Sequence, residues 1–136
     1  MDVLEALEEP LSVYDVEFVY IVGPSDSVDW TAAQAKADDL WNRQKPTYFK
    51  MEARLPQDGE DLSAYTAALL AERQNVACRF VTVCCQYGEI TDTTGAARLR
   101  NAAGLQAGRV MSIPVQRATG RYKDGPVSQL QLPAGW

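Results

Sequence analysis

The sequence predicts an α/β domain with a small, mainly parallel sheet, and three observations carry that prediction. Two short uncharged runs, residues 18–22 and 80–85, are rich in β-branched and aromatic residues and suit strands covered on both faces. Between and after them, apolar residues recur at helical spacing: Trp30, Ala33, Ala37, Leu40 and Trp41, then Leu62, Tyr65 and Leu69. Turn chemistry separates the two textures: Gly23-Pro24, Lys45-Pro46 and Pro56-Gln57-Asp58-Gly59.

Taken in order, residues 2–9 form a short helix with Val3, Leu4 and Leu7 inward, ended by Pro10. Strand 1 covers residues 14–22 and stops at Gly23-Pro24. The polar turn Ser25-Asp26-Ser27-Val28-Asp29 offers several N-caps for a helix from about 29 to 43. Strand 2, residues 47–55, alternates. Phe49, Met51, Ala53 and Leu55 lie on one face, and Tyr48, Lys50, Glu52 and Arg54 on the other. A strand with one wet face is expected at a sheet edge. A helix follows from Glu60 or Asp61 to about residue 75, with acidic residues at its positive end. Strand 3 covers residues 79–85.

The next helix is expected over residues 96–112, interrupted by Gly104 and Gly108. Each glycine costs roughly 1 kcal/mol against alanine inside a helix. Spaced by four, the two predict a bare stripe that packs closely on a neighbouring surface. Beyond Pro114 the chain reads as irregular, with a short strand possible only at residues 127–132. With right-handed crossovers, the expected topology is sheet order 2-1-3 in a three-layer sandwich with helices on the faces. The domain reading is an α/β body over residues 1–115, then an irregular segment, 116–136, leading to a missing C-terminal region.

Composition narrows the functions. The formal net charge is −5, which argues against nucleic acid as a partner. No apolar run approaches the ~20 residues that span a bilayer, so no membrane partner is expected. The acidic start, Met1-Asp2-Val3-Leu4-Glu5, lacks the basic and apolar regions of a signal peptide, which points to a cytoplasmic origin. The chain has no histidine, excluding Ser-His-Asp and Cys-His catalysis, histidine general bases and histidine-ligated metals. Cys78, Cys84 and Cys85 form no disulfide framework and are expected to be reduced and buried as small hydrophobes.

The expected strand ends carry little chemistry. A phosphate site needs free N–H groups in a glycine-rich turn at a helix N-terminus. The turn after strand 1 contains Pro24, which has no N–H, and Asp26 and Asp29, which repel phosphate. No dinucleotide fingerprint or P-loop occurs anywhere. A phosphoacceptor receiver requires aspartates where this chain has Val22 and Gln86. The paired carboxylates Glu8-Glu9, Asp38-Asp39 and Glu60-Asp61 fall at helix ends or on exposed faces and read as solvated charge. The sequence therefore predicts no catalytic, cofactor-binding or metal-ligating residue, no cofactor and no enzyme activity.

One family resembles this order of parts: the contractile tail sheath proteins of phages, particularly the phage-Mu-type and prophage tail-sheath-like proteins, in their central α/β domain. The resemblance runs along the chain. It starts with a short leading helix, Val3 to Leu7, and an apolar strand ending in a Gly-Pro turn, Phe18 to Pro24. A helix with an aromatic near each end and the strand Tyr48 to Leu55 come next. The small-residue stretch Asn101-Ala-Ala-Gly-Leu-Gln-Ala-Gly-Arg109 is similar to a sheath segment in which an Ala-Gly pair opens a helix before an irregular loop. Residues 114–136 resemble the loop leading into the sheath's C-terminal region.

The resemblance implies a non-catalytic structural subunit that assembles around a tail tube, made in the bacterial cytoplasm from a prophage and located in the virion tail. Its implied partners are the tail tube protein and other copies of itself, linked by arm strands added to open sheet edges. The extended N-terminal arm and the C-terminal region of a full sheath subunit are missing from this sequence. It therefore implies a domain fragment, monomeric or weakly associated alone. The alternative is a small flavodoxin-like ligand-binding domain or enzyme subunit, which would show an apolar pocket above Gly23 and Gln86.

Overall fold

The computed structural model describes residues 2–113; the irregular segment 116–136 and the short strand at 127–132 lie outside the described residues. The fold is mixed α/β. Three strands, β1 (Phe18–Ser25), β2 (Tyr48–Ala53) and β3 (Val81–Cys84), form a parallel sheet.

The sheet order is β1-β2-β3, so the expected order 2-1-3 is corrected and strand 2 is central, paired on both sides. The physical reason is that alternation along a strand describes the two faces of its sheet, and says nothing of how many neighbours it has. Phe49, Met51 and Ala53 are at most 3% exposed on one face, while Tyr48 is exposed and Lys50 and Glu52 half-buried on the other. The uncharged runs of β1 and β3 form the edges instead. Val22 on β1 is 77% exposed, and Thr82 on β3 is exposed as well.

β1 also runs past the expected stop. Gly23 takes φ +115°, and the register shifts between Ile21 and Pro24, after which Pro24 and Ser25 pair with Glu52 and Ala53. The left-handed φ at Gly23 permits this irregularity, and Pro24 is tolerated because β1 is an edge strand.

Helix α3 (Ser27–Asn42) forms for the expected reasons. Asp26 is its N-cap, accepting hydrogen bonds from the backbone N–H groups of Val28 and Asp29, and the Asp29 carboxylate reciprocates on Asp26 N. Trp30, Ala33, Ala37 and Leu40 are buried in one cluster with Phe49, Met51, Phe80 and Val81. Trp41 lies outside that stripe, half exposed, with its ring 5.3 Å from Phe80 and the Arg79 guanidinium 4.9 Å above it.

Helix α4 (Leu62–Arg73) is capped by Asp61 and buries Tyr65 and Leu69 with Ala53 and Tyr87. Ahead of β1, α1 (Asp2–Ala6) and α2 (Glu8–Val13) place Leu4 and Leu11 in the core. Pro10 falls within α2 rather than ending a helix; it sits in the first turn, where its missing N–H costs nothing.

The expected helix over residues 96–112 is corrected. Its first part is the second strand of an antiparallel hairpin, β4 (Tyr87–Thr91) and β5 (Ala97–Asn101), and only α5 (Ala103–Ser112) is helical. The turn decides this. The Asp92 carboxylate accepts from Thr94 N at 2.8 Å, Asp92 N donates to Ala96 O, and Gly95 adopts φ +81°. The glycine stripe is half explained. A Cβ on Gly104 would lie 3.5 Å from the Tyr20 hydroxyl oxygen, whereas one on Gly108 would meet nothing within 4 Å.

The helices α3 and α4 cover the Phe49 face of the sheet. α5 meets the opposite face at Tyr20 and leaves Tyr48 exposed, so that face is covered in part.

Candidate functional site

The carboxyl ends of the parallel strands are where an α/β fold places ligands, and here polar side chains close that region. The Ser25 hydroxyl donates to Glu52 O at 2.5 Å and accepts from the buried Trp30 Nε1 at 2.8 Å. The first amides of α3, which a phosphate would need, are taken by Asp26 at 2.9 and 3.1 Å. Beside them, Asn101 Nδ2 donates to Cys84 O at 2.8 Å and to Ala53 O at 3.3 Å, tying β5 to the ends of β2 and β3. The helical propensity of residues 96–112 masks this role of Asn101, which ends β5 rather than lying inside a helix. Trp30→Phe is expected to lower stability by about 1–2 kcal/mol, the worth of one buried hydrogen bond left unmade, measured by urea unfolding.

Two polar clusters were not anticipated. On the partly covered face, the Tyr20 hydroxyl donates to Glu52 Oε1, with Lys50 and Cys84 on the same face. Burial, then the adjacent carboxylate, pushes the Tyr20 hydroxyl well above its ordinary range, so it stays protonated. Burial pushes Lys50 down. The register of Tyr20 opposite Lys50, which brings these residues together, could be read only once β2 is known to sit beside β1.

The second cluster joins β2 to α4. Arg54 Nη1 and Nη2 donate to Glu60 Oε2 and Oε1, both at 2.7 Å, and the guanidinium stacks 5.2 Å from the Tyr65 ring. The Tyr65 hydroxyl reaches Arg54 O at 2.8 Å and Cys85 O at 3.2 Å. The Arg54 hydrogen bonds, then the Gln57 amide, hold Glu60 down from 4.5 to about 2. Burial pushes Tyr65 up from 10.0 to about 12.

The signs of these shifts predict two pH windows. Glu60, depressed on folding, contributes stability that is present above about pH 4.5 and lost as pH falls towards about 2. Tyr65, raised on folding, contributes stability that is present below about pH 10 and lost as pH rises towards about 12. In urea titrations across pH, Glu60→Gln should flatten the acid limb and Tyr65→Phe the alkaline limb.

The paired carboxylates serve as caps and ion pairs. Glu8 bonds Lys36 and Arg43, Asp39 bonds Arg43 at 2.7 Å, Asp38 accepts from Gln34, and Asp61 caps α4. Among the described residues no group of three metal-ligating side chains is close enough to hold an ion, and no helix is long and apolar enough to cross a membrane.

The expected burial of the cysteines is corrected. Cys78 and Cys85 are exposed and Cys84 half-buried, all three as free thiols. The cause is again the sheet order: β3 is an edge strand, and Cys78 and Cys85 lie beyond its ends. Desolvation of the sulfurs still pushes all three thiols up.

Two of the cavities among the described residues are well defined. An open groove of about 540 Å³ runs between α1 and α3 over Leu4, Ala32 and Ala35. A more enclosed cavity of about 270 Å³ lies between α4 and β3, lined by Trp30, Leu69 and Arg73 among others. Neither lies above Gly23 and Gln86, where the ligand-binding alternative places its pocket.

Compared with known proteins, residues 1–135 match the family of the DUF2586 N-terminal domain, and the chain belongs to that family. No curated protein matches it, and no solved structure does.

Proposed function

We propose that this member of the DUF2586 family is the α/β body of a contractile phage or prophage tail sheath subunit, a structural and non-catalytic part that assembles around a tail tube. The observation that carries this reading is the sheet: three parallel strands whose outer members, β1 and β3, have no strand partner on their far sides among the described residues. Unpaired N–H and C=O groups on such edges are templates for an incoming strand. Arm strands from neighbouring subunits would link copies of the body there. Ser25 and Asn101 tie the strand ends together and Asp26 occupies the first amides of α3, which supports a rigid part rather than a reaction vessel.

In this reading the body is a three-layer sandwich, with α5 beginning the second helical layer. The partners are other copies of the chain and the tail tube protein, and the location is the virion tail. The test is negative-stain microscopy of the whole gene product, alone and co-expressed with a tail tube protein from the same genome. Rings, tubes or contracted sheaths are the expected result. A monodisperse monomer in both preparations would sink the reading.

A further inference from the structure

We infer that the cavity between the last turn of α4 and β3 is a binding site for a small apolar monoanion, its carboxylate held by Arg73. The cavity encloses about 270 Å³, the size of a fragment rather than of a nucleotide. Its apolar wall comes from three elements: Trp30 on α3, Leu69 on α4, and Val81 and Val83 on β3. Those residues favour a hydrocarbon or aromatic body.

Arg73 supplies the opposite chemistry. It is the basic residue of α4's last turn and lines the same cavity, and it has no ion pair or hydrogen-bonded acceptor among the described residues. Arg43, Arg54 and Arg98 each hold a carboxylate and Arg79 stacks on Trp41 and Phe80, whereas Arg73 and Arg100 do neither, and of these two it is Arg73 that lines this cavity. Arg73 is exposed, so its guanidinium sits at the mouth of an apolar cavity with its fork of donors open to solvent, and it matches a planar carboxylate in both charge and shape. The carbonyl end of α4 opposes an anion with roughly half a charge, and the full charge of Arg73 exceeds it. The two thiols, Cys78 and Cys85, complete the lining with the backbone of Thr82, whose side chain shares the opposite face of the sheet with Cys84.

Those thiols make the site readable without knowing its natural ligand. Cys78 and Cys85 line the cavity, whereas Cys84 points to the other face of the sheet and serves as an internal control. The probe is phenylacetate, with phenylacetamide as its neutral isostere, and the readout is the rate of iodoacetamide alkylation at each cysteine by mass spectrometry. Phenylacetate should slow Cys78 and Cys85 and leave Cys84 unchanged. Phenylacetamide should protect roughly tenfold less at equal concentration, the difference made by a charge-assisted hydrogen bond. Arg73→Gln should erase that difference, and Arg73→Lys should keep part of it. Absence of protection at millimolar phenylacetate, or equal protection by the amide in the unaltered protein, overturns the proposal. So does protection that persists undiminished in a folded Arg73→Gln variant. The site stands apart from the assembly reading, since the measurement needs only the dispersed domain.

Discussion

Phe49→Ala should cost about 3–5 kcal/mol, the range for removing a fully buried phenylalanine. That loss would consume much of the 5–15 kcal/mol that separates a typical folded domain from its unfolded chain. Phe49 is 0% exposed and sits on β2, between β1 and β3, in one cluster with Trp30, Leu40 and Met51. Truncation leaves a cavity bounded by strands on both sides and a helix above, so little of the structure can collapse to fill it. Tyr48→Ala, one residue away but exposed on the other face, should cost far less. Urea unfolding followed by tryptophan fluorescence gives both values. A loss of ~1 kcal/mol or less at Phe49 would mean that β2 is not the buried centre of the sheet.

The contrast between these neighbours also shows what a sequence pattern can carry. Phe49, Met51 and Ala53 were assigned to a buried face from alternation alone, and they are buried. The same alternation does not imply an edge. One wet face arises equally in a central strand when helices cover the other side, as α3 and α4 do here. The uncharged runs in β1 and β3 misled in the mirror sense. Apolar length signalled strands correctly but said nothing about a second neighbour, and Val22 and Cys85 end in solvent.

Helices α3 and α4 were legible because two independent signals agreed, a carboxylate cap at Asp26 or Asp61 and a buried stripe behind it. The β4-β5 hairpin was hidden because Ala96, Ala97, Arg98 and Leu99 have high intrinsic helix preference. The hydrogen bonds of Asp92 with Thr94, Gly95 and Ala96 outweigh that preference locally, a case of turn chemistry overriding propensity. The Arg73 cavity was out of reach for a different reason: its wall joins residues 30, 69 and 81–83, which only the sheet order brings together.

Under the sheath function proposed above, assembly should be abolished by single changes on the outer edge of β1 that leave the fold intact. Tyr48 N–H donates to Glu17 O at 3.1 Å, and in a parallel ladder alternate residues turn their backbone groups to opposite sides. The N–H and C=O of Phe18 and Tyr20 therefore point away from β2, to the side where the proposed arm strand would add. β1 carries no charge from Phe18 to Ser25, so it lacks the lysines and inward charges by which natural edges discourage pairing. Phe18→Pro removes an outward N–H at the first residue of an edge strand, a place where proline is tolerated. Val22→Glu sets a charge where the side chain is already 77% exposed, so stability should change within about 0.5 kcal/mol. Both variants should give the urea midpoint of a folded domain yet show no rings or tubes by negative stain, under conditions where the unaltered gene product assembles. Wild-type assembly by both would move the linking edge away from β1 and leave β3 as the candidate.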